Sequence, residues 1–174
     1  MTEKEIVAIE SLGESPEYFD HYISGFVDGE GCFSVSFREW ARLKCKIELR
    51  PSFSVGQKKS AINLRLLQKI QQRFKGGTIR FDSAGKGLYK YETRSLCHIV
   101  ESVVPFFERY PLYTEKGTDF AYFCKICDMM KEKKHLTRQG LLDSIAIAEK
   151  MNLSGKRRVA FNDLRALLTR SVIE

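Results

Sequence analysis

The sequence predicts an α+β fold: one helix, two strands, a second helix and two further strands, followed by more helices. Two observations support this prediction. Residues 33–55 alternate between apolar and polar side chains, which is the period of half-buried strands. Residues 62–74 instead repeat apolar side chains at helical spacing. We therefore expect an αββαββα unit with a four-stranded antiparallel sheet and a C-terminal helical extension.

The first predicted helix begins at Ser15, where a capping hydroxyl precedes Pro16 at the first helical position and Glu17 in the first turn. We expect this helix to end at residues 28–31, Asp-Gly-Glu-Gly, because glycine is unfavourable inside a helix and common in turns. An acidic turn is thus predicted between the first helix and the first strand.

Two strands are predicted after this turn, joined by a tight connection near residues 41–42. Their apolar side chains are expected to face the core: Phe33, Val35, Phe37, Cys45, Ile47, Leu49, Phe53 and Val55. Ser60 is then the predicted cap of a second helix, which the glycine pair at residues 76–77 is expected to end.

Two shorter strands are predicted at residues 78–82 and 89–94, around a turn at residues 83–87. Their inward side chains are expected to be Ile79, Phe81, Tyr89 and Tyr91. Ser95 caps the next predicted helix, and we expect this helix to end near Pro105, because proline interrupts helical hydrogen bonding.

The rest of the chain predicts three more helices, at about residues 114–131, 137–151 and 160–173. No internal repeat is visible. We expect a lead segment, a main domain and a helical extension, at residues 1–14, 15–135 and 136–174.

The outward faces of the four predicted strands carry many long cationic and hydroxyl side chains. The formal net charge of the chain is +7, which favours a polyanionic partner because each neutralised phosphate releases counterions. A solvated sheet face is one interpretation. The other is contact with DNA, since strands can lie along the major groove. The residues that would then contact DNA are Ser34, Ser36, Arg38, Trp40, Lys46, Glu48, Arg50, Ser52, Ser54, Thr78, Arg80, Asp82, Lys90, Glu92 and Arg94.

Composition narrows the cellular setting. Five cysteines without framework spacing indicate reduced thiols. No run approaches the roughly 20 apolar residues of a membrane helix, so no membrane partner is expected. Residues 1–14 have no positively charged start before an apolar run, and we expect no secretory signal. We expect an intracellular protein of a bacterial or archaeal cytoplasm, or of a chloroplast or mitochondrion if its gene is organellar.

Residues 23–31, Ile-Ser-Gly-Phe-Val-Asp-Gly-Glu-Gly, resemble the LAGLIDADG motif. Later segments resemble further signature segments of the same nucleases and follow in the same order: residues 51–57, 76–77, 110–116 and 134–137. The chain thus resembles the LAGLIDADG homing endonucleases that carry a single motif. The resemblance implies their fold, with a sheet that binds DNA.

The resemblance also implies a divalent metal site. Glu30 would bind the metal, helped by the backbone carbonyl of Gly29. Glutamate replaces the family's commoner aspartate and is still a hard oxygen ligand. The expected ion is Mg²⁺, with Mn²⁺ or Ca²⁺ able to substitute for binding. Without the resemblance, Glu30 would be interpreted as an exposed loop acid. Asp28 is expected to make structural hydrogen bonds at the helix end and is not assigned to the metal.

A single motif corresponds to half of a nuclease, so the resemblance implies a homodimer in which two copies of Glu30 meet. Small residues in the motif would let the two helices approach closely. The predicted contact residues are Tyr22, Ser24, Gly25, Val27 and Asp28.

Two further catalytic residues follow from matching segments. Gln57 ends the second strand, where the family often has a polar residue that orders water near the scissile phosphate. Lys116 matches a lysine thought to activate the nucleophile or neutralise developing charge. A strand-end glutamine and a solvated lysine are the alternatives. A lysine at a helix start opposes the helix dipole, which favours a functional reason for Lys116.

The implied function is a metal-dependent, staggered double-strand break in a long pseudo-palindromic DNA target, which promotes intron homing. Two rival interpretations stay open: a maturase on the same scaffold, which binds intron RNA and assists splicing, and a DNA-binding regulator that does not cut. An intact Glu30 favours the nuclease.

Overall fold

A computed structural model describes residues 16–82, 87–153 and 160–170. The predicted lead segment, the helix start at Ser15 and residues 83–86 of the predicted turn lie outside this part of the chain. The described elements follow the predicted order of helix, two strands, helix, two strands and further helices. The predicted α+β class is confirmed.

The chain divides into two compact units that interleave along the sequence. The first, which we call the motif unit, contains the described residues up to Cys32 together with Phe53–Gly117. The second, the tail unit, contains Phe33–Ser52 and the described residues from Thr118 onward. The expected boundary at residue 135 lies inside the tail unit and stays a prediction.

Helix α1, Pro16–Glu30, is longer than predicted. It continues through Asp28 and Gly29, and strand β1 begins at the residue after Glu30. The predicted stop in the acidic turn is therefore wrong. The Asp28 carboxylate accepts hydrogen bonds from the backbone N–H groups of Tyr113 and Thr114, which are distant in sequence. These hydrogen bonds hold the last turn of α1 in helical form.

Four strands form one sheet in the order β1-β2-β4-β3, with bounds Gly31–Glu39 for β1, Ile47–Lys58 for β2, Thr78–Asp82 for β3 and Leu88–Thr93 for β4. Strand β4 pairs antiparallel with β2 and with β3. Glu92 lies opposite Ser54 on one side and opposite Thr78 on the other. The predicted four-stranded sheet is confirmed.

The predicted alternation of buried and exposed residues holds along most of the strands. Apolar residues that it assigns to the core are buried: Phe33, Phe37, Ile47, Leu49, Phe53, Val55 and Tyr91. Phe81 is an exception, since 44% of it is exposed. Ser52, Ser54 and Glu92 are further exceptions, because they are predicted to point outward and are at most 9% exposed.

Helix α2, Ala61–Phe74, begins as predicted, with the Ser60 hydroxyl accepting a hydrogen bond from the Asn63 N–H at 3.0 Å. It ends before the glycine pair, because Lys75 adopts a left-handed conformation, φ 55°, and closes the helix. Gly77 follows at φ 79°, and a Cβ there would lie 2.6 Å from the Tyr91 ring. Gly77 is thus required for the turn into β3.

The predicted helix end near Pro105 is wrong. Ser95 caps helix α3, Leu96–His98, which continues directly as a π-helix, Ile99–Val103, and as helix α4, Val104–Arg109. Pro105 lies in the first turn of α4, where its missing N–H is best tolerated. The wider π turn ahead of it changes the hydrogen-bond spacing without ending the helix.

The core of the motif unit is rich in aromatic rings. Phe53, Phe74, Phe106, Phe107 and Tyr91 are all at most 4% exposed. Phe74 contacts Phe106 edge to face at a centroid distance of 5.0 Å. Complete burial of one such ring contributes roughly 1.5–3 kcal/mol, so this cluster stabilises the unit that contains α1 and α2.

Helix α5, Glu115–Lys131, begins in the motif unit, and its residues from Thr118 onward belong to the tail unit. The tail unit also contains α6, Arg138–Ala148, and α7, Phe161–Arg170. Phe33 of β1 packs against Phe123 of α5 at a centroid distance of 5.4 Å. Within the described part of the chain, no helix is both long and apolar enough to cross a membrane.

Candidate functional site

The C-terminal end of α1 carries the residues that the motif singles out. Glu30 is the last residue of the helix, and both Glu30 and Gly29 are exposed. The last turn contains no basic residue. Carbonyl groups at a helix end lack partners within the helix and carry partial negative charge. The exposed Glu30 carboxylate and the negative end of the helix dipole therefore concentrate negative potential there, which favours a cation.

Asp28 does not share in this exposed group of acceptors, because its carboxylate is held within the motif unit. It accepts a hydrogen bond from the Tyr113 N–H at 3.0 Å and one from the Thr114 hydroxyl at 2.7 Å. Burial raises the pKa of Asp28, but these hydrogen bonds and the charge of Lys116 outweigh burial and hold the pKa below its usual range. The expectation that Asp28 makes structural hydrogen bonds is confirmed.

The other two predicted catalytic residues also belong to the motif unit. Lys116 lies in the first turn of α5, is half-buried, and acts electrostatically on Asp28. Gln57 is half-buried near the end of β2, opposite Tyr89. None of the hydrogen bonds or ion pairs among the described residues joins Glu30 to Gln57 or Lys116.

A divalent ion fits this helix end only in part. Glu30 supplies a hard carboxylate, and the Gly29 carbonyl, near the end of the helix, is a second oxygen of the type that Mg²⁺ prefers. Nowhere in the described residues do three or more His, Cys, Asp or Glu side chains form a metal-binding group. One copy of the chain therefore brings one free carboxylate to such a site, and a second copy would double it.

The exposed face of α1 differs from the predicted contact surface. Val27 is completely buried, and Ser24 is only 6% exposed because its hydroxyl donates to the backbone carbonyls of Tyr110 and Pro111. Asp28 is held as described above. Ser24 and Val27 are thus buried within the protomer, and Asp28 is half-buried. The predicted contact surface stays a prediction.

A stripe of α1 faces outward instead: Tyr18, Tyr22, Gly25 and Gly29. Tyr22 and Gly25 were predicted; Tyr18 and Gly29 were missed as surface residues, although the four positions share the helical spacing of one face. A Cβ on Gly25 or Gly29 would meet nothing within 4 Å. The stripe is thus flat and open at its small residues, with two tyrosines beside them.

In the motif unit, the outward face of the sheet is organised around Glu92, which is 8% exposed. Three cations surround its carboxylate: Arg80, Lys90 and Arg94. Ser54, predicted to contact DNA, is 4% exposed, whereas Thr78 is exposed. Of Asp82 only the backbone is described.

In the tail unit, a second acid organises the outward side chains of β1 and β2. Glu48 pairs with Arg38 at 3.2 Å and with Arg50 at 2.9 Å. The Arg38 guanidinium also lies 4.0 Å from the ring centroid of Trp40. The remaining predicted contacts in this unit vary in exposure. Ser36 and Lys46 are exposed, Ser34 is half-buried, and Ser52 is 9% exposed.

The described residues thus define an α+β protein with an αββαββα order, an acidic end on the first helix and cations on the outward strand faces. The sequence model of the LAGLIDADG endonuclease family matches residues 23–127, well over half of the 174 residues. The chain belongs to this family.

Relatives of the chain include much longer proteins. The chain is 32% identical over 139 residues to the probable intron-encoded endonuclease 3 of Neurospora crassa. The aligned region covers 79% of this chain and 24% of that protein. A second long relative is an ND4 intron protein of Podospora anserina, at 27% identity. The chain spans about a quarter of the length of each of these two proteins. The homing endonuclease I-ApeII of Aeropyrum pernix is 22% identical over 84% of this chain and 88% of its own length.

Solved structures of similar fold come from the same family. The homing endonuclease I-TnaI superposes with a TM-score of 0.75 at 31% identity, over 87% of this chain and 97% of that one. The archaeal intron-encoded homing endonuclease I-Vdi141I, solved in complex with DNA, superposes with a TM-score of 0.82 over 92% and 100% of the two chains. At 22% identity the second likeness shows the fold alone.

Proposed function

We propose that the protein is a homing endonuclease that acts as a homodimer and makes a metal-dependent double-strand break in a long DNA target. The observation that carries this proposal is the end of α1. There an exposed stripe of two glycines and two tyrosines leads directly to an exposed carboxylate at the negative end of the helix.

The stripe supports pairing with a second copy of the same helix. Gly25 and Gly29 leave room for a close backbone approach, and Tyr18 and Tyr22 supply apolar area that one protomer leaves exposed. A twofold contact of this kind is isologous, so the two copies of Glu30 end up beside each other. Two carboxylates and the nearby carbonyls of Gly29 then provide oxygen ligands on both sides of the symmetry axis.

Each residue of the site has its own task in the proposed reaction. Mg²⁺ bound there would polarise the scissile phosphate and lower the pKa of a bound water. The hydrogen bonds to Asp28 keep the helix end rigid, so that Glu30 is held in one position. Lys116 supplies positive charge for the developing phosphorane oxygens, and Gln57 orients water through its amide.

Double-stranded DNA is the proposed substrate because the outward side chains of both units combine long cations with hydroxyls. Solved relatives support this choice, since I-SmaMI has been captured on its DNA target in the presence of calcium ions, with 29% identity and a TM-score of 0.75 over 87% of this chain and 49% of that one. A symmetric dimer predicts a pseudo-palindromic target with one half-site per protomer.

The testing experiment is cleavage of a DNA library that carries candidate intron insertion sites, with purified protein and Mg²⁺. Wild-type protein should cut one long site, and Glu30→Gln should lower the cleavage rate by at least about a hundredfold while binding the same DNA. Glu17→Gln, at the other end of the same helix, is the matched control and should cut normally. Cutting by Glu30→Gln at the wild-type rate would refute the metal assignment.

The dimer is tested in the same assay through Gly25→Leu. A Cβ there meets nothing of its own protomer within 4 Å, so the variant should fold, sediment as a monomer and fail to cut. A cleaving monomer would remove the second copy from the proposal. Tight DNA binding by the wild type without any cut would favour a regulator, and preferential binding to folded intron RNA would favour a maturase.

A further inference from the structure

Glu92 was predicted to contact DNA, yet its surroundings in the motif unit point to another role. The side chain is 9% exposed, while those of Arg80 and Arg94 are each 53% exposed. The acid therefore lies beneath the cations that cover it. The cations therefore lie between the Glu92 carboxylate and any ligand bound to this face.

The carboxylate of Glu92 is engaged by the three cations around it. A carboxylate offers about four lone-pair sites. Arg94 lies 3.2 Å from Oε1 and 3.1 Å from Oε2, Arg80 lies 3.2 Å from Oε2, and Lys90 lies 3.4 Å from Oε1. The contacts of Arg94 and Lys90 with Oε1 are hydrogen bonds, and the other two are ion pairs, so both carboxylate oxygens face these cations.

Strand geometry explains why these four side chains meet. Lys90 precedes Glu92 by two residues on β4, so both side chains project from one face. Arg94 follows Glu92 by two residues, just past the end of β4, and its guanidinium also reaches the Glu92 carboxylate. Arg80 lies opposite Lys90 on the neighbouring strand and therefore diagonally next to Glu92. The central position of the four is occupied by the acid.

The cluster borders an open depression of the motif unit. Its lining includes Arg80 and Arg94 together with Lys75, Thr78, Ser95 and His98. The two guanidinium groups are thus open to a ligand on one side and tied to the acid on the other. Each guanidinium meets the acid through its Nη2 atom, and its other donors are directed away from the acid.

We propose that Glu92 is a positioning residue that determines specificity: it orients Arg80 and Arg94 towards base edges or phosphates and contacts no base itself. This rests on the proposed DNA substrate. Arginine side chains lose considerable rotamer freedom when they bind. A carboxylate that holds them in the free protein removes part of this cost for the cognate site, and it opposes attraction to any other DNA by lowering the local positive charge.

The test compares Glu92→Gln with Glu39→Gln in a Glu30→Gln background, so that binding is measured without cleavage. Both variants gain the same charge, but Glu39 is an exposed residue at the end of β1. Affinities are measured for the target selected by the wild type and for every single base-pair substitution in one half-site. Glu92→Gln should lose about tenfold of discrimination at a few adjacent base pairs and keep it elsewhere.

Three outcomes would overturn the proposal. The first is that Glu92→Gln and Glu39→Gln discriminate among the substituted sites equally, and the second is that Glu92→Gln loses discrimination evenly over the whole half-site. The third is that Glu92→Gln causes the same loss of discrimination in a protein in which Arg80 and Arg94 are both alanine. If Glu92→Gln does not fold, Glu92→Asp takes its place, since the shorter acid keeps the charge but cannot reach all three cations. If the wild type selects no DNA site, the proposed function fails. The ordering role is then decided by the side-chain NMR signals of Arg80 and Arg94, which should become as mobile as those of Arg65 in the variant; unchanged signals would refute it.

Discussion

Helices α1 and α2 both end in the motif unit, and their last turns are built in opposite ways. The end of α2 has Arg73 in its last turn and a left-handed Lys75 that closes the helix. Cations at this end complement the helix dipole. The end of α1 has Asp28, Gly29 and Glu30 and no basic residue, so its charges oppose the dipole and its glycine weakens the helix.

The difference separates a helix end that serves stability from one that serves the proposed function. Residues that break a local rule without a structural gain are expected at functional sites. Hydrogen bonds from Tyr113 and Thr114 to the Asp28 carboxylate offset its unfavourable interaction with the helix dipole, whereas Glu30 is exposed. We therefore attribute the unfavourable charge of Glu30 at the helix end to the proposed metal site.

The largest expected effect comes from breaking the end of α2. Arg73 forms two hydrogen bonds to Asp20 of α1, at 2.5 and 2.7 Å, and Asp20 is only 4% exposed. Arg73→Ala should lower the free energy of unfolding by about 2–3 kcal/mol, below the range for fully buried pairs because Arg73 is partly exposed. Urea denaturation measures this. Arg65→Ala, an exposed change on the same helix, is the control, and an equal shift in both variants would contradict the expectation.

An intermediate effect is expected at Asp28. Because its folded-state pKa lies below that of the unfolded chain, about 3.9, the carboxylate stabilises the fold above that pH and loses this contribution as pH falls towards the folded value. Asp28→Asn should cost about 1 kcal/mol at neutral pH and show a flatter decline in stability between about pH 5 and pH 3. Thermal unfolding over this range checks both. If Asp28→Asn declines as steeply as Asp128→Asn, an exposed control, the hydrogen bonds do not act as described.

The smallest effect has the opposite sign. Glu30→Gln removes a charge that opposes the α1 dipole and should raise the free energy of unfolding by about half a kcal/mol. Glu17→Gln, at the favourable end of the same helix, should lower it by a similar amount. Differential scanning calorimetry at low ionic strength is the measurement. Two shifts of the same sign would show that the dipole does not decide the effect.

Most of the fold could be predicted because its signals are local. Alternation identified the first two strands, and capping hydroxyls at Ser60 and Ser95 marked two helix starts. The failures needed information from elsewhere. Asp28 keeps α1 helical only through partners at Tyr113 and Thr114, which no window around the motif contains. Pro105 is tolerated because a π turn precedes it, and such a turn has no sequence signature here.

The candidate site was predicted in its residues more than in their orientation. Glu30 is exposed, whereas Ser24 and Val27, which the motif predicts as dimer contacts, are buried within the protomer. Their side of the helix is decided by the hydroxyl bonds of Ser24 to Tyr110 and Pro111. Strand alternation predicts that Glu92 points outward with the residues expected to contact DNA, but alternation does not reveal its neighbours on the adjoining strand.

Strand β1 follows Glu30 without a single intervening residue. Gly31 permits this junction, since a Cβ there would lie 2.5 Å from Val27 Cγ1 and 2.7 Å from the Val27 carbonyl oxygen. A one-residue insertion at this point would turn Glu30 by roughly 100° about the helix axis or exchange the two faces of β1. A change in chain length at the junction would therefore displace either the proposed metal ligand or the strand that follows it, so insertions and deletions have to be accommodated elsewhere in the chain.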